Sequence, residues 1–170
     1  SENDLVVYEL SSFQLEFLQK SPSIGVCLMV TEDHLDYHGN SDDYISAKQA
    51  VTKFQHETDH AVSNIDYPAS AKIGELSEGK KWQISREAEI QTGAKILNES
   101  IEFYYEGKMY ISFDMSKRIL RGKHNLENIA AGIVVGKILD IPDEVIQNSI
   151  NTFKGLEHRL QLVGEHGGVK

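Results

Sequence analysis

The stretch SIGVCLMV, residues 23–30, is a continuous apolar run between Pro22 and the polar sequence TEDH. It has the length of a strand and is too continuous for a half-solvated one, so it predicts a parallel strand buried on both faces. The run DLVVYEL, residues 4–10, predicts a second such strand. Between them, SSFQLEFLQKS can form a crossover helix with Ser11 or Ser12 as its N-cap. These segments predict a βαβ unit and hence an α/β fold on a mostly parallel sheet.

The next segments continue this alternation. Residues 41–55 predict a helix capped by Ser41 or Asp42, because apolar side chains recur at helical spacing at Tyr44, Ala47, Val51 and Phe54. The sequence HAVSNIDYP, residues 60–68, predicts a third strand that ends in a polar turn.

The second half of the chain changes character. Residues 72–121 are broken by glycine and contain the alternating sequence IEFYYEGKMYISFD, so they predict a β-rich insertion with a hairpin at its EG pair. Apolar spacing predicts a helix over residues 125–139, and Pro142 opens another that runs to Phe153. The final sequence LVGEHGGVK predicts an edge strand.

Composition excludes some classes of protein. The chain has 17 lysine and arginine residues against 26 acidic ones, a net charge of -9, which disfavours binding to a nucleic-acid backbone. The longest apolar run, residues 24–30, is far shorter than the ~20 residues of a membrane span, and the first residues lack a signal pattern. The single Cys27 lies within that run and predicts a buried, inert thiol. We expect a cytoplasmic protein without membrane association.

Glu9 and His34 are candidate metal ligands, because each follows a predicted strand at its carboxyl end, where ligands bind to open parallel sheets. One carboxylate and one imidazole suit Mg²⁺ or Mn²⁺ at a nucleotide site. Charged residues at strand ends are more often simply solvated. The neighbouring Asp36 and His38 can likewise serve only to hydrogen-bond the backbone of their turn.

Lys48 is unusual because its spacing puts it on the inward face of the helix predicted for residues 41–55. Desolvation there would lower the pKa of the lysine and raise its nucleophilicity, whereas a lysine whose stem covers the core is the commoner case. Asn125 can cap a helix or bind an adenine edge, and Arg159 can clamp a phosphate or remain exposed.

Five motifs occur in the order found in Mur ligases: ELSSFQLE, TEDHLDYHG, YISAK, HNLENIAA and FKGLEHR. The chain thus resembles this family of ATP-dependent amide ligases of peptidoglycan synthesis over nearly its whole length. The first motif resembles the D-glutamate-adding branch, since the sister ligases differ after the glutamate. The resemblance implies a three-layer, P-loop NTPase-like central domain, with ATP, UDP-N-acetylmuramoyl-L-alanine and D-glutamate as substrates of a monomeric enzyme.

The resemblance also implies roles for single residues. Glu9, His34 and Lys48 would form the catalytic and metal-binding group, with Lys48 carbamylated by CO₂ and the metal Mg²⁺ or Mn²⁺. Asn125 would lie near the adenine and Arg159 near the phosphates. Ser12 and Asp33 would lie on the metal and substrate side. The reaction would pass through an acyl phosphate.

The sequence departs from the family pattern in two ways. Met29 stands where the family commonly has asparagine, and the glycine-lysine-threonine loop that binds ATP is missing. We therefore expect residues 1–170 to be part of a central ATP-binding domain that is truncated at its N-terminal side and inactive alone, without the phosphate loop, the UDP-binding N-terminal domain or the C-terminal domain. Two alternatives are a metal-dependent hydrolase using His34, Asp36 and His38, and a non-catalytic nucleotide-binding module.

Overall fold

A computed structural model describes residues 4–30 and 41–156 of the chain. The chain divides into two compact units, one comprising Ser1–Ser63 and Tyr67–Lys81, the other Asn64–Asp66 and Trp82–Lys170. The described residues combine six strands with five α-helices, so the predicted α/β class is confirmed. None of the helices within the described ranges is long and apolar enough to span a membrane.

The first unit is built around two parallel strands, β1 (Ile24–Cys27) and β2 (His60–Asn64), with Ile24 opposite His60 and Cys27 opposite Ser63. Both strands were predicted. The prediction that β1 is buried on both faces was wrong, because Gly25 and Cys27 are buried while Val26 is 39% exposed. The strand therefore has one buried face, as side chains alternate across a strand.

Three helices belong to this unit: α1 (Ser12–Leu15), α2 (Ser41–Lys48) and α3 (Pro68–Glu75). A short 3₁₀ helix, Gln49–Val51, follows α2, so the helix predicted for residues 41–55 changes type after Lys48. Helix α3 was not predicted; it starts where the predicted polar turn ends and runs into residues predicted as the start of the β-rich insertion. Pro68 is its first residue, a position where the missing N–H and fixed φ of proline are favourable.

The core of the first unit joins β1 to α2 and α3 through Cys27, Val30, Tyr44 and Ile73. Two buried hydroxyl groups add polar links, because Thr52 donates to the Ile73 carbonyl and Ser70 donates to the Leu28 carbonyl. The predicted inward positions Tyr44 and Ala47 are buried, but Phe54 is exposed because the change to a 3₁₀ helix ends the 3.6-residue period.

Residues 4–10 form no strand, which corrects the prediction of a buried strand there. Their apolar side chains are exposed, up to 99% at Val7. A strand is stable only when its backbone groups pair with a neighbour and its side chains meet a packed face, and β-branched composition supplies neither. The predicted pairing of this segment with β1 across a helix is therefore absent, and β1 pairs in parallel with β2.

The second unit contains β3 (Lys80–Ser85), β4 (Gly93–Ile96), β5 (Ser100–Tyr105) and β6 (Lys108–Asp114), although Lys80 and Lys81 belong to the first unit. Strands β3 and β4 are parallel, whereas β4 with β5 and β5 with β6 are antiparallel. The antiparallel pairs lie within residues 72–121, which were predicted as a β-rich insertion with a hairpin, and the sheet is mixed for that reason.

The hairpin predicted at the EG pair is present. Tyr105 pairs with Lys108, and the two residues between them, Glu106 and Gly107, have φ angles of 51° and 75°. Positive φ at both central positions is the geometry that two-residue hairpin loops favour. Behind the hairpin, the Trp82 ring stacks on Phe103 at a centroid distance of 5.9 Å.

Two helices complete the second unit, α4 (Lys123–Ile138) and α5 (Asp143–Thr152), close to their predicted bounds. Helix α4 lies against β4 and β5 and buries Ala130, Ile133 and Val134. An ion pair of 2.6 Å between Lys137 and Asp143 links the end of α4 to the start of α5. The edge strand predicted at the end of the chain lies outside the described residues.

Candidate functional site

A polar pocket of about 330 Å³ in the first unit brings together three of the predicted site residues, Glu9, Ser12 and Lys48. Its other lining residues come from the same two segments: Leu10, Ser11, Gln14 and Tyr44. Two segments at least 30 positions apart in sequence, counted from Gln14 to Tyr44, therefore share one cavity. His34 and Asp33, predicted for the same site, lie outside the described residues.

Helix α1 fixes the Ser12 side of the pocket. Ser11 is its N-cap, as one of the two predicted alternatives had it, and forms a capping box with Gln14. The Ser11 N–H donates to Gln14 Oε1 at 2.9 Å, and the Gln14 N–H donates to Ser11 Oγ at 3.4 Å. This reciprocal pair stabilises a helix of only four residues and places Ser12 in its first turn, with a buried side chain.

Lys48 is the last residue of α2 and is partly buried, as the inward spacing predicted. Its Nζ lies 4.9 Å from the ring centroid of Tyr44, one turn earlier on the same helix. The buried tyrosine ring attracts the ammonium group through its negative face. The aromatic contact therefore holds the lysine head group at the pocket.

The positive charge of Lys48 also acts on the pKa of the Cys27 thiol. Burial raises the pKa of the Cys27 thiol, while a hydrogen bond with Ser70 and the positive charge of Lys48 oppose the rise. The net increase favours the neutral thiol, as predicted for an inert buried cysteine.

The donors in the pocket fit Mg²⁺ in kind. The Glu9 carboxylate is exposed, and the Ser12 hydroxyl and Gln14 amide add further oxygen atoms of the type that Mg²⁺ prefers. Across the described ranges, however, no three His, Cys, Asp or Glu side chains cluster closely enough to hold a metal ion. The ammonium of Lys48 also opposes a cation in its unmodified form.

Asn125 belongs to the second unit and is 8% exposed in the first turn of α4. Of the two roles predicted for it, capping this helix is wrong, because Gly122 occupies the N-cap position. The Asn125 amide instead donates to the Arg121 carbonyl and accepts from Asn128 Nδ2 at 3.2 Å. Arg159, the predicted phosphate ligand, lies outside the described residues.

A polar network in the second unit was not predicted from the sequence; it is formed by Asp66, Ser85, Arg86 and Glu127. Arg86 Nε donates to Glu127 Oε1 at 3.0 Å, and the Arg86 N–H donates to Asp66 Oδ2 at 2.7 Å. The ion pair joins residues 41 positions apart. No local spacing signals such a pair, so a single sequence offers no means of finding it.

The family model of the Mur ligase middle domain matches residues 1–136. The chain belongs to the Mur ligase family.

Curated relatives narrow the comparison. The chain is 35% identical over 171 residues to a UDP-N-acetylmuramoylalanine--D-glutamate ligase of Natranaerobius thermophilus, covering 100% of this chain and 37% of the relative. It is 39% identical over 163 residues to the ligase of the same name from Bacillus mycoides, covering 95% of this chain and 35% of the relative. The chain thus spans little more than a third of the length of these relatives.

The solved structure of a MurF ligase from Thermotoga maritima in complex with ADP has a TM-score of 0.62 with this chain. The sequence identity is 20%, and the match covers 86% of this chain and 34% of that one. At this identity the likeness shows a shared fold.

Proposed function

We propose that this chain is the central, ATP-binding part of a ligase that joins D-glutamate to UDP-N-acetylmuramoyl-L-alanine in peptidoglycan synthesis. The observation that carries the proposal is the pocket shared by Glu9, Ser12 and Lys48, since the motifs that supply them come together in space. Two relatives at 35% and 39% identity bear the name of that ligase. The reaction belongs in the cytoplasm, with a monomeric enzyme and no nucleic-acid partner.

The proposed reaction has two steps. The substrate carboxylate attacks the γ-phosphorus of ATP, an O–P bond forms, and the bond to the leaving ADP breaks. The amine of D-glutamate then attacks the carbonyl carbon of the acyl phosphate, the amide bond forms, and phosphate leaves with the loss of a proton. Both steps depend mainly on positioning and on stabilising charge at the transferred phosphoryl group.

Lys48 serves this chemistry as a carbamate. The ammonium loses a proton, the free amine attacks CO₂ to form an N–C bond, and a second proton leaves, so the side-chain charge changes from +1 to −1. Its partial burial and its place beside Glu9 in one pocket support this role. The ordinary alternative is a lysine that packs on Tyr44 and keeps its charge.

The remaining roles follow the same proposal. Glu9, His34 and the Lys48 carbamate would hold Mg²⁺ or Mn²⁺, which when bound neutralises charge on the phosphates. Ser12 and Asp33 lie on the metal and substrate side of the site. Asn125 binds the adenine edge, and Arg159 binds the nucleotide phosphates.

The proposal is tested by phosphate release from ATP with UDP-N-acetylmuramoyl-L-alanine, with and without D-glutamate, in the complete ligase and in residues 1–170 alone. We expect release that depends on D-glutamate from the complete ligase and none from the shorter chain. Release that ignores D-glutamate would instead indicate the hydrolase. Nucleotide binding by residues 1–170 without turnover would support the non-catalytic nucleotide-binding module for this part of the chain.

The carbamate is tested by Lys48→Ala in the complete ligase. We expect ligation to be abolished and partly restored by small carboxylates, which replace the missing anion. Lys53→Ala is the matched control, because Lys53 also lies over an aromatic ring, Phe54, at 5.9 Å but does not line the pocket. Normal turnover of Lys48→Ala would refute the carbamate role.

His34 is tested separately, by titrating Mg²⁺ against activity. His34→Ala should raise the Mg²⁺ concentration needed for half-maximal rate. An unchanged titration curve would remove His34 from the metal site.

A further inference from the structure

The Arg86 side chain, which comes from outside α4, hydrogen-bonds to the first turn of this helix. Arg86 Nε donates to Glu127 Oε1 at 3.0 Å, while Arg86 Nη2 donates to the Lys123 carbonyl. Lys123 and Glu127 are one helical turn apart, so the guanidinium bridges the whole first turn. Glu127 is 7% exposed. Removing Arg86 would take an opposite charge away from a buried carboxylate, which is costly.

Hydrogen bonds also hold the backbone on either side of Arg86. Both carboxylate oxygens of Asp66 accept hydrogen bonds from the end of β3, Oδ2 from the Arg86 N–H at 2.7 Å and Oδ1 from the Ser85 hydroxyl. The Ser85 Oγ also accepts from the N–H groups of Glu87 at 2.9 Å and Ala88 at 2.7 Å. The backbone that carries the guanidinium is therefore fixed on both sides of Arg86.

Asn125 lies in this first turn, between Lys123 and Glu127 in the sequence. The contacts of Asn125 are with Arg121 and Asn128, on the backbone before the helix and on the following turn. Packing of α4 against β4 and β5 also holds this helix in place. The planar fork of the Arg86 guanidinium adds a polar link from the end of β3 to the first turn, because it bonds two acceptors at once.

We propose that Arg86 is a positioning residue that sets the place of Asn125 and thereby the preference of the enzyme for adenine nucleotides. This inference rests on the proposed function, in which Asn125 binds the adenine edge. An asparagine amide distinguishes adenine only when its donor and acceptor meet the base together, so a shift of the first turn weakens the discrimination.

The test compares kcat/KM for ATP and GTP in the complete ligase. Arg86→Gln should raise KM for ATP and reduce the ATP-over-GTP preference by at least about fivefold, the effect of losing one well-placed amide pair. The KM for UDP-N-acetylmuramoyl-L-alanine should not change. Arg86→Lys should act in the same direction, because an ammonium lacks the fork, whereas Glu127→Gln should act weakly, because its amide oxygen still accepts from Nε.

The matched control is Asp143→Asn, which breaks the 2.6 Å ion pair at the opposite end of α4. It should lower stability without changing the ATP-over-GTP ratio. Arg86→Gln with an unchanged ratio, or with a ratio no different from that of Asp143→Asn, would overturn the inference.

Asn125→Ala distinguishes the adenine contact of Asn125 from the positioning role of Arg86. A reduced ratio in Asn125→Ala with a normal ratio in Arg86→Gln refutes the positioning role alone. An unchanged ratio in Asn125→Ala refutes both the adenine contact and the inference built on it. D-glutamate-dependent phosphate release by the wild type, measured in the same assay, shows whether the proposed function itself holds.

Discussion

Two glycines one turn apart on α4 offer a test of how the groove between α4 and α5 is packed. A Cβ atom added at Gly132 would meet nothing within 4 Å, whereas one added at Gly136 would lie 2.9 Å from Ile146 Cδ1 and 3.3 Å from its Cγ1. Both positions are inside a 16-residue helix, where alanine is favoured over glycine by about 0.5–1 kcal/mol. The two substitutions thus share a propensity gain and differ in contact.

Gly132→Ala should therefore raise the free energy of unfolding by about 0.5–1 kcal/mol, or the melting temperature by roughly 1–4 °C in a chain of this size. Gly136→Ala gains the same propensity but overpacks Ile146, at a cost of about 1–3 kcal/mol. Because Cδ1 is the free end of its side chain, the low end of that range applies, and the net result is between no change and a loss of about 0.5 kcal/mol.

Urea denaturation followed by far-ultraviolet circular dichroism measures both changes against the wild type. Ile146→Val removes Cδ1 and should cost about 0.5–1.5 kcal/mol alone, yet less in the Gly136→Ala background, where it relieves the close contact. Destabilisation by Gly132→Ala, or additivity of Gly136→Ala and Ile146→Val, would refute the packing described here.

Three further predictions concern local features. Glu106→Asn should stabilise the hairpin by about 0.5 kcal/mol, since asparagine accepts a φ of 51° more readily, and an unchanged or lower urea midpoint would contradict this. Burial, with repulsion from Lys80, lowers the pKa of His60, so the folded state binds fewer protons and stability should fall from pH 7 toward pH 5. His60→Gln should flatten that slope, and the exposed His56→Gln should not. The Cys27 thiol, whose pKa is raised by burial, should react with iodoacetamide at pH 8 much faster in urea than in the native protein; equal rates would argue against its burial.

The features predicted correctly are those whose signal is local. The hairpin follows from the EG pair between alternating strands, and α4 follows from an apolar face repeated over four turns. Failures occur where partners decide the outcome. Residues 4–10 have strand composition but no paired strand, and Pro68 marks a turn or a helix start equally well until the packing of Ile73 selects the helix.

The candidate site shows the same division. The resemblance of the motifs indicated that Glu9, Ser12 and Lys48 act together, and they line one pocket. The contact of Arg86 with Glu127 could not be predicted, because residues 41 positions apart in sequence have no periodic relation. Asn125 was expected at a helix start and lies there. The N-cap is Gly122 instead, whose φ of 97° suits glycine.

The charge of Lys48 decides what the pocket can bind. With an ammonium group, the described lining contains one carboxylate and one cation, and a divalent metal gains little from such a pair. Under the proposed carbamylation the same side chain becomes an anion, so the cation beside Glu9 is replaced by a second oxygen ligand. Metal and CO₂ then favour each other, because any group that binds the modified state more tightly shifts the lysine toward it. The Tyr44 ring acts in the opposite direction by stabilising the ammonium form. Under the proposed function, such a balance would let Lys48 pack as an ordinary cation in the unmodified protein and serve the phosphoryl transfer only when CO₂ and metal are both present.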